Sequence, residues 1–339
     1  MSLVALPTQP AGTAWPTVEW PTAAEPTNVV DAAAPLFGLD RRDELGVTLA
    51  LVVAHRGRIV HERYGPETDA DTTLISWSMA KTITGALVGI AVDDGLLDPA
   101  APAPVPEWAD DERAAITLDD LLRMRSGLEF VEDYVDAGTS HCIDMLFGAG
   151  SDDVAGYAAA RPALHPPGEV WNYSSGETNV IARVLRDALG GSEAFLAWAQ
   201  ERLLDPLGMG STTLRTDAAG TFIGSSFAYA TARDFARFGL MLLRDGRWDG
   251  RRLLPAGWVD GMRDTHATDP ENGSGYGRQT WTIPDGRGTF GCYGYEGQRI
   301  LCVPSSDTVV VRLGTTPIEL APAMVDVLAS VIAAVEEIE

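Results

Sequence analysis

The apolar positions fall into strand-like runs at the two ends of the chain and helix-like repeats between them. Val47 to Ala54 is apolar and β-branched, Arg56-Gly57 has turn chemistry, and Arg58 to Tyr64 follows, which predicts a β-hairpin over 47–64. Ala80, Ile83, Thr84, Leu87, Ile90 and Ala91 recur at helical spacing and predict a helix over 79–94, stopped at Gly95. From about 96 to 270 helical segments are punctuated by Gly and Pro. Thr117 with Asp120 resembles a capping box ahead of Leu121-Leu122, and 231–244 reads as an amphipathic helix. Strand character returns near 278–283 and 298–303, the run 308–313 reads as a buried strand, and a helix over about 318–337 closes the chain. Residues 1–45 are rich in Pro, Ala and Thr, with Trp15 and Trp20 each followed by Pro; they predict an extended arm laid over the body and pinned by its aromatic rings. Strands at both termini with helices between them imply an α+β protein. Its sheet domain is discontinuous (46–95 and 271–339), and a mostly helical region (96–270) is inserted into it.

Length and composition change this picture little. The chain has 339 residues, 45% of them hydrophobic and 22% charged, which suits a globular protein with a substantial core. No unbroken apolar run reaches the roughly 18 residues that spanning a bilayer requires. The first twenty residues lack a basic start and an apolar core, so the expected location is the cytoplasm, a processed precursor aside. The net charge of −23 argues against nucleic-acid and anionic-membrane partners and mildly favours neutral or cationic small molecules. A homodimer stays open. Cys142, Cys292 and Cys302 form no metal spacing and no disulfide framework, and His55, His61, His141, His165 and His266 fit neither a zinc signature nor a Ser-His-Asp triad. No metal or other cofactor is expected. No G-x-S-x-G elbow occurs, which sets aside a lipase-type fold.

One feature of the charge does matter. Of 25 basic residues, 24 are arginine and the single lysine is Lys81. Arginine keeps its proton in proteins, whereas a desolvated lysine can lose it. A solitary lysine therefore marks a position that calls for a neutral amine. Lys81 ends Ser78-Met79-Ala80-Lys81, an S-x-x-K pattern at the start of the predicted helix, where i, i+3 spacing puts both side chains on one face. The helix N-terminus offers free N–H groups to a developing anion beside the serine. S-x-x-K alone is a weak signal. A second element is Tyr173-Ser174-Ser175, in which a tyrosine with its pKa lowered by a nearby ammonium could shuttle the serine proton; an isolated buried Tyr would explain it equally. The third is Cys292-Tyr293-Gly294-Tyr295-Glu296-Gly297-Gln298, a Gly-containing strand edge that would let an acyl group approach the backbone, or a plain hairpin turn.

Taken together these elements resemble the group comprising class C β-lactamases, D-alanyl-D-alanine peptidases and family VIII esterases, over about residues 47–315. Further stretches carry the likeness in the family's order: 116–128, 205–209, 230–239, Gly275-Tyr276-Gly277 before Trp281, and Val303-Pro304. Within that group the Trp-Pro-rich arm, Asp133-Tyr134-Val135-Asp136 and the 294–298 segment resemble 6-aminohexanoate-dimer hydrolases. The resemblance implies a β-lactamase/transpeptidase-like fold, with an antiparallel sheet flanked by helices plus an all-helical region. It implies Ser78 as the acylated nucleophile, Lys81 and Tyr173 as managers of its proton, and the N–H groups of Ser78 and Tyr295 as an oxyanion hole. Tyr134, Ser175, Tyr293, Gly294 and Glu296 would contact substrate; Ser175 stands where many relatives carry Asn. Cys292 stands where many relatives carry Lys or His, so the cation that meets a β-lactam carboxylate is missing and Tyr293 adds bulk, which predicts poor β-lactam turnover. The expected function is hydrolysis of small linear amides or esters through an acyl-enzyme, with Glu296 or Asp133 meeting a cationic substrate end. A β-lactamase or D-alanyl-D-alanine carboxypeptidase is the alternative, and a non-catalytic penicillin-binding-like protein is the alternative of another class.

Overall fold

A computed structural model describes residues 3–134 and 139–338. Val135 and Asp136 of the Asp133–Asp136 motif lie outside the described residues. Eight strands form the main sheet: β1 (Val47–His55), β2 (Arg58–Tyr64), β3 (Ala267–Thr268), β4 (Gly275–Tyr276), β5 (Trp281–Thr282), β6 (Phe290–Gly294), β7 (Gln298–Val303) and β8 (Thr308–Thr315). Their order is β2-β1-β8-β7-β6-β5-β4-β3, with every neighbouring pair antiparallel. The two ends of the chain thus meet at β1–β8, the second and third strands of one sheet. Arg56 (φ 49°) and Gly57 (φ 75°) are both left-handed, the geometry of a two-residue hairpin turn whose twist matches the strands it joins.

The helices relevant to the site are α1 (Thr27–Ala33), α2 (Met79–Asp93), α3 (Ser175–Ala188), α4 (Ala232–Leu243) and α5 (Ala321–Glu336). Because side chains alternate across a strand, the sheet has two buried faces. Ala50, Val52, Ile300, Cys302, Val309 and Val311 pack toward α2 and α4. Leu51, Val53, Leu301, Val303 and Val310 face α1 and the stripe Met324, Leu328, Val331 and Val335 of α5. At Gly239 of α4 an added Cβ would come within 2.7 Å of Ile300 Cγ2 and 2.8 Å of Val309 Cγ1, so glycine sets the close approach of helix to sheet.

Four expectations shift. Residues 27–45 are short helical turns, not extended chain. Extension stops near residue 26, where Val29 and Ala33 begin an apolar helical face over the sheet. The inserted region is not all helical: Leu74–Ile75, Thr213–Leu214 and Ala228–Ala230 form a three-stranded sheet beside α2, and the edge strand β3 precedes residue 271. The strand read near 278–283 is only two residues long, since Gln279 adopts φ 54° and interrupts it. Ile318–Glu336 is the one described segment long and apolar enough to cross a membrane by length and composition, because Asp326 is the lone charge between 320 and 335; one stripe of it packs on the sheet.

The arm itself is held by aromatic and cationic groups. Trp15 lies 5.0 Å from Trp248 between ring centroids, and Trp20 Nε1 donates to Arg233 O at 3.2 Å. Arg237 Nε donates to Pro16 O at 2.6 Å, and Arg263 Nη1 to Val4 O at 2.7 Å.

Candidate active site

Ser78 caps the N-terminus of α2 (φ −62°, ψ −5°), so the helix axis carries Lys81 one turn below it. Lys81 is only 1% exposed. Its Nζ donates to Ser78 Oγ at 2.9 Å, to Ser175 Oγ at 2.9 Å and to Ser225 O at 3.1 Å. Three acceptors match the three donors an ammonium carries, and the Nζ–Oγ line is the path by which a neutral amine would take the serine proton. The residue before the serine, Trp77, is held at φ +44°. A bulky side chain in the left-handed region costs about 1–3 kcal/mol. Trp77 O accepts from Ala80 N at 3.0 Å and from Ser76 Oγ at 2.9 Å, while its ring meets Phe227 and Tyr295.

Tyr173 reaches the same point from the segment before α3. Lys81 Nζ lies 4.8 Å from its ring centroid, and both Ser78 and Lys81 act on its hydroxyl. The expectation of a lowered pKa does not hold. Burial pushes the Tyr173 phenol above its ordinary value, and Lys81 offsets that only in part. Packing against Trp281 at 5.2 Å and Tyr276 at 5.7 Å between centroids is the physical reason. The resting group is a neutral phenol, suited to donating a proton.

The segment carrying Tyr295 is brought to Ser78 by Gly294. A Cβ at Gly294 would stand 2.4 Å from Ser76 O, and its φ is −125°. The glycine is therefore required by the approach of β6 to the chain before Ser78. Glu296, beside Tyr295, is left-handed at φ 58°.

Glu132, which no motif singled out, organises the other side of the site. Its Oε1 accepts from Ser175 Oγ at 2.6 Å and Tyr134 OH at 2.7 Å, and its Oε2 from Ser175 N at 2.7 Å. Lys81, Ser175 and Glu132 thus form a continuous chain. Ser175 acts as a relay between amine and carboxylate, and Tyr134 is fixed by the same carboxylate. Burial first, then Glu132, pushes the Tyr134 phenol well above its ordinary range.

Position 292 carries no cation, as the sequence reads. Cys292 is fully buried in the core under α2, and burial pushes its thiol up to about 12, so it faces no substrate. A cation enters from the next strand. Arg299 opposes Tyr293 in the β6–β7 register, and cross-strand neighbours share a face of the sheet. Its Cζ sits 4.2 Å over the Tyr293 ring, and Nη1 donates to Gln298 O at 2.8 Å. Tyr293 stacks on Trp281 at 5.6 Å, so an aromatic ladder runs from Tyr173 to Arg299. These groups line a cleft of about 630 Å³ together with Ser78, Tyr134, Gly294 and Glu296. Arg299 is the one cationic side chain on its wall among the described residues.

The constellation is that of an activated serine in a helix N-terminus. The sequence model of the beta-lactamase family matches residues 40–331. The chain belongs to the beta-lactamase family. It is a serine hydrolase of that family. It is 29% identical over 316 residues to a 6-aminohexanoate-dimer hydrolase of Paenarthrobacter ureafaciens, covering 87% of this chain and 80% of the relative. Among solved structures it is similar to a chain assigned as a 6-aminohexanoate-dimer hydrolase from Bacillus anthracis (TM-score 0.78, 22% identity, 98% of this chain and 89% of that one). It is also similar to a family VIII carboxylesterase (TM-score 0.71, 17% identity, 93% and 99%). The β-lactamase-like α+β fold is thereby shown.

Behind the site, Glu177 on α3 is 3% exposed, accepts from Ser126 Oγ at 2.6 Å, and leaves Oε2 without a partner. Burial raises its carboxyl to about 8. The folded pKa exceeds the unfolded value of about 4.3, so the native state holds the additional proton. The stability this brings is full below about pH 4 and declines as pH rises to about 8, by up to about 1.4 kcal/mol per unit. Glu177→Gln is expected to flatten that decline. A melting temperature that falls as steeply between pH 5 and pH 8 in the variant as in the parent removes the assignment.

Proposed function

We propose that the protein hydrolyses small linear esters and amides through an acyl-Ser78 intermediate. The observation that carries this is the 2.9 Å contact of the one lysine in the chain with Ser78 Oγ, in a site that buries the amine and satisfies its other donors. Lys81 as a neutral amine removes the proton as Oγ attacks the carbonyl carbon. The N–H groups of Ser78 and Tyr295 donate to the oxyanion, and Tyr173 passes a proton to the departing oxygen or nitrogen. Water then cleaves the acyl-serine by the reverse proton path. Ester leaving groups need the Tyr173 proton less than amides do. The test is turnover of p-nitrophenyl acetate and butyrate, the linear 6-aminohexanoate dimer and nitrocefin, with Ser78→Ala as control. Fluorophosphonate labelling absent at Ser78 in the parent protein would favour the non-catalytic alternative.

Arg299 supports a second reading, in which the leaving group bears a carboxylate, as in an ω-amino acid or a β-lactam. A charge-assisted contact contributes about 1.5–3 kcal/mol, roughly ten- to hundredfold in affinity. Arg299→Gln is expected to raise KM at least tenfold for a carboxylate-bearing substrate and to leave neutral esters within threefold. Equal effects on both classes would remove Arg299 from substrate recognition. Nitrocefin turnover decides how far the bulk of Tyr293, stacked on Trp281, restricts β-lactams. For a substrate with an ammonium end, Glu296 stands on the cleft wall together with Asp269 and Glu271, with Asp133 as a further acidic candidate; an unchanged KM in Glu296→Gln counts against Glu296.

A further inference from the structure

A second cavity of about 150 Å³ also borders Ser78. Its wall, among the described residues, includes Trp77, Ile143, Leu146, Phe147 and Tyr295, and no charged side chain. The polar side chains it touches are already engaged: Ser175 and Tyr134 donate to Glu132, and Ser226 shares a 2.9 Å hydrogen bond with Ser225. Ser78, Tyr134 and Tyr295 border both cavities, but Tyr173 borders only the larger one. In the proposed reaction Tyr173 delivers the proton to the leaving group, so the leaving group must depart through the large cleft. The acyl group, bonded to the same carbonyl carbon between the oxyanion donors, points the opposite way.

We infer that the 150 Å³ cavity is the acyl pocket and that it selects a short, uncharged acyl chain of about four to six carbons. The inference rests on the acyl-Ser78 reading and narrows it. An apolar cavity of about 150 Å³ takes up one benzene-sized molecule, about six carbons. A 6-aminohexanoyl group would have to bring its ammonium against Ile143, Leu146 and Phe147 with no carboxylate among the described residues of the wall to meet it, and burying an unpaired charge is strongly unfavourable. Phe147, 62% exposed, stands at the solvent side of this wall.

The test is kcat/KM for p-nitrophenyl acetate, butyrate, hexanoate, octanoate and decanoate, and for the 6-aminohexanoyl ester. It is run on the parent, Ser78→Ala, Ile143→Ala and Ile143→Trp. Each methylene that enters the pocket is expected to raise kcat/KM by about fourfold, with a maximum between butyrate and hexanoate and a fall at octanoate. The 6-aminohexanoyl ester is expected to run at least tenfold slower than hexanoate. Ile143→Ala shifts the maximum to longer chains. Ile143→Trp lowers hexanoate turnover at least tenfold while acetate stays within about threefold, and that retained acetate activity shows the variant is folded. A chain-length profile unchanged in both Ile143 variants, or 6-aminohexanoyl turnover equal to hexanoyl, overturns the pocket assignment while Ser78-dependent acetate turnover keeps the hydrolase reading. Absence of Ser78-dependent turnover of every ester overturns both.

Discussion

Replacing Lys81 by arginine is expected to lower kcat for p-nitrophenyl butyrate by on the order of 10³- to 10⁴-fold, although charge is conserved. The chain uses arginine at every other basic position, so the substitution tests whether position 81 needs a cation or a group able to give up its proton. Guanidinium does not deprotonate in proteins. Its planar fork is also larger than the space around a 1%-exposed Nζ bonded to Ser78, Ser175 and the Ser225 carbonyl. Circular dichroism and elution volume establish that the variant is folded. More than a tenth of the parent kcat in a folded Lys81→Arg protein would mean that the lysine is not the base.

The second large effect is expected at Glu132. It touches neither Ser78 nor the carbonyl of a substrate placed on it, and acts as a positioning residue through Ser175 and Tyr134. Glu132→Ala strands the Ser175 N–H and hydroxyl and the Tyr134 hydroxyl. Leaving such groups unpaired costs about 1–3 kcal/mol each, and the Lys81 amine loses the relay that holds it. The expected loss is about 100-fold in kcat, with KM for butyrate changed less than threefold, since the acyl chain does not meet Glu132. Glu132→Gln keeps one carbonyl acceptor and should recover about tenfold of that loss. Equal kcat in the two variants, or a loss confined to KM, would show that the carboxylate does not position the amine.

Glu132 also shows where a linear reading stops. It stands 43 residues from Ser175 in the chain, in a loop without periodic pattern, and Ser175 is met only when α3 packs beside α2. Nothing within a window of sequence around 132 marks it, beyond its place two residues before Tyr134. Arg299 is similar. The sequence places it only within the strand near 298–303, while motif position points to residue 292 for the cleft cation. The β6–β7 register pairs Tyr293 with Arg299 and turns Cys292 inward, so the charge stands on the strand adjacent to the one carrying the motif. The direction of the Tyr173 pKa has the same origin. Proximity to Lys81 was inferable, but enclosure by Tyr276 and Trp281, more than 100 residues away, outweighs it.

What the amino-acid sequence determined by itself is what short spacing determines. An i, i+3 pair at a helix start puts Ser78 and Lys81 in contact in any fold that forms the helix. Two left-handed positions at Arg56-Gly57 close the hairpin, and Thr117 with Asp120 caps its helix, each by interactions within a few residues. Apolar and β-branched runs marked β1, β7 and β8 as strands, and β8 as a buried one. The tertiary structure alone decided which side of the sheet each charge faces, how desolvated Tyr173 and Glu177 become, why Gly294 must be glycine, and that Ser78 stands between a charged cleft and an apolar cavity. Those properties depend on burial and strand register between segments far apart in the chain, where the energy of a group is set by neighbours that no local pattern names.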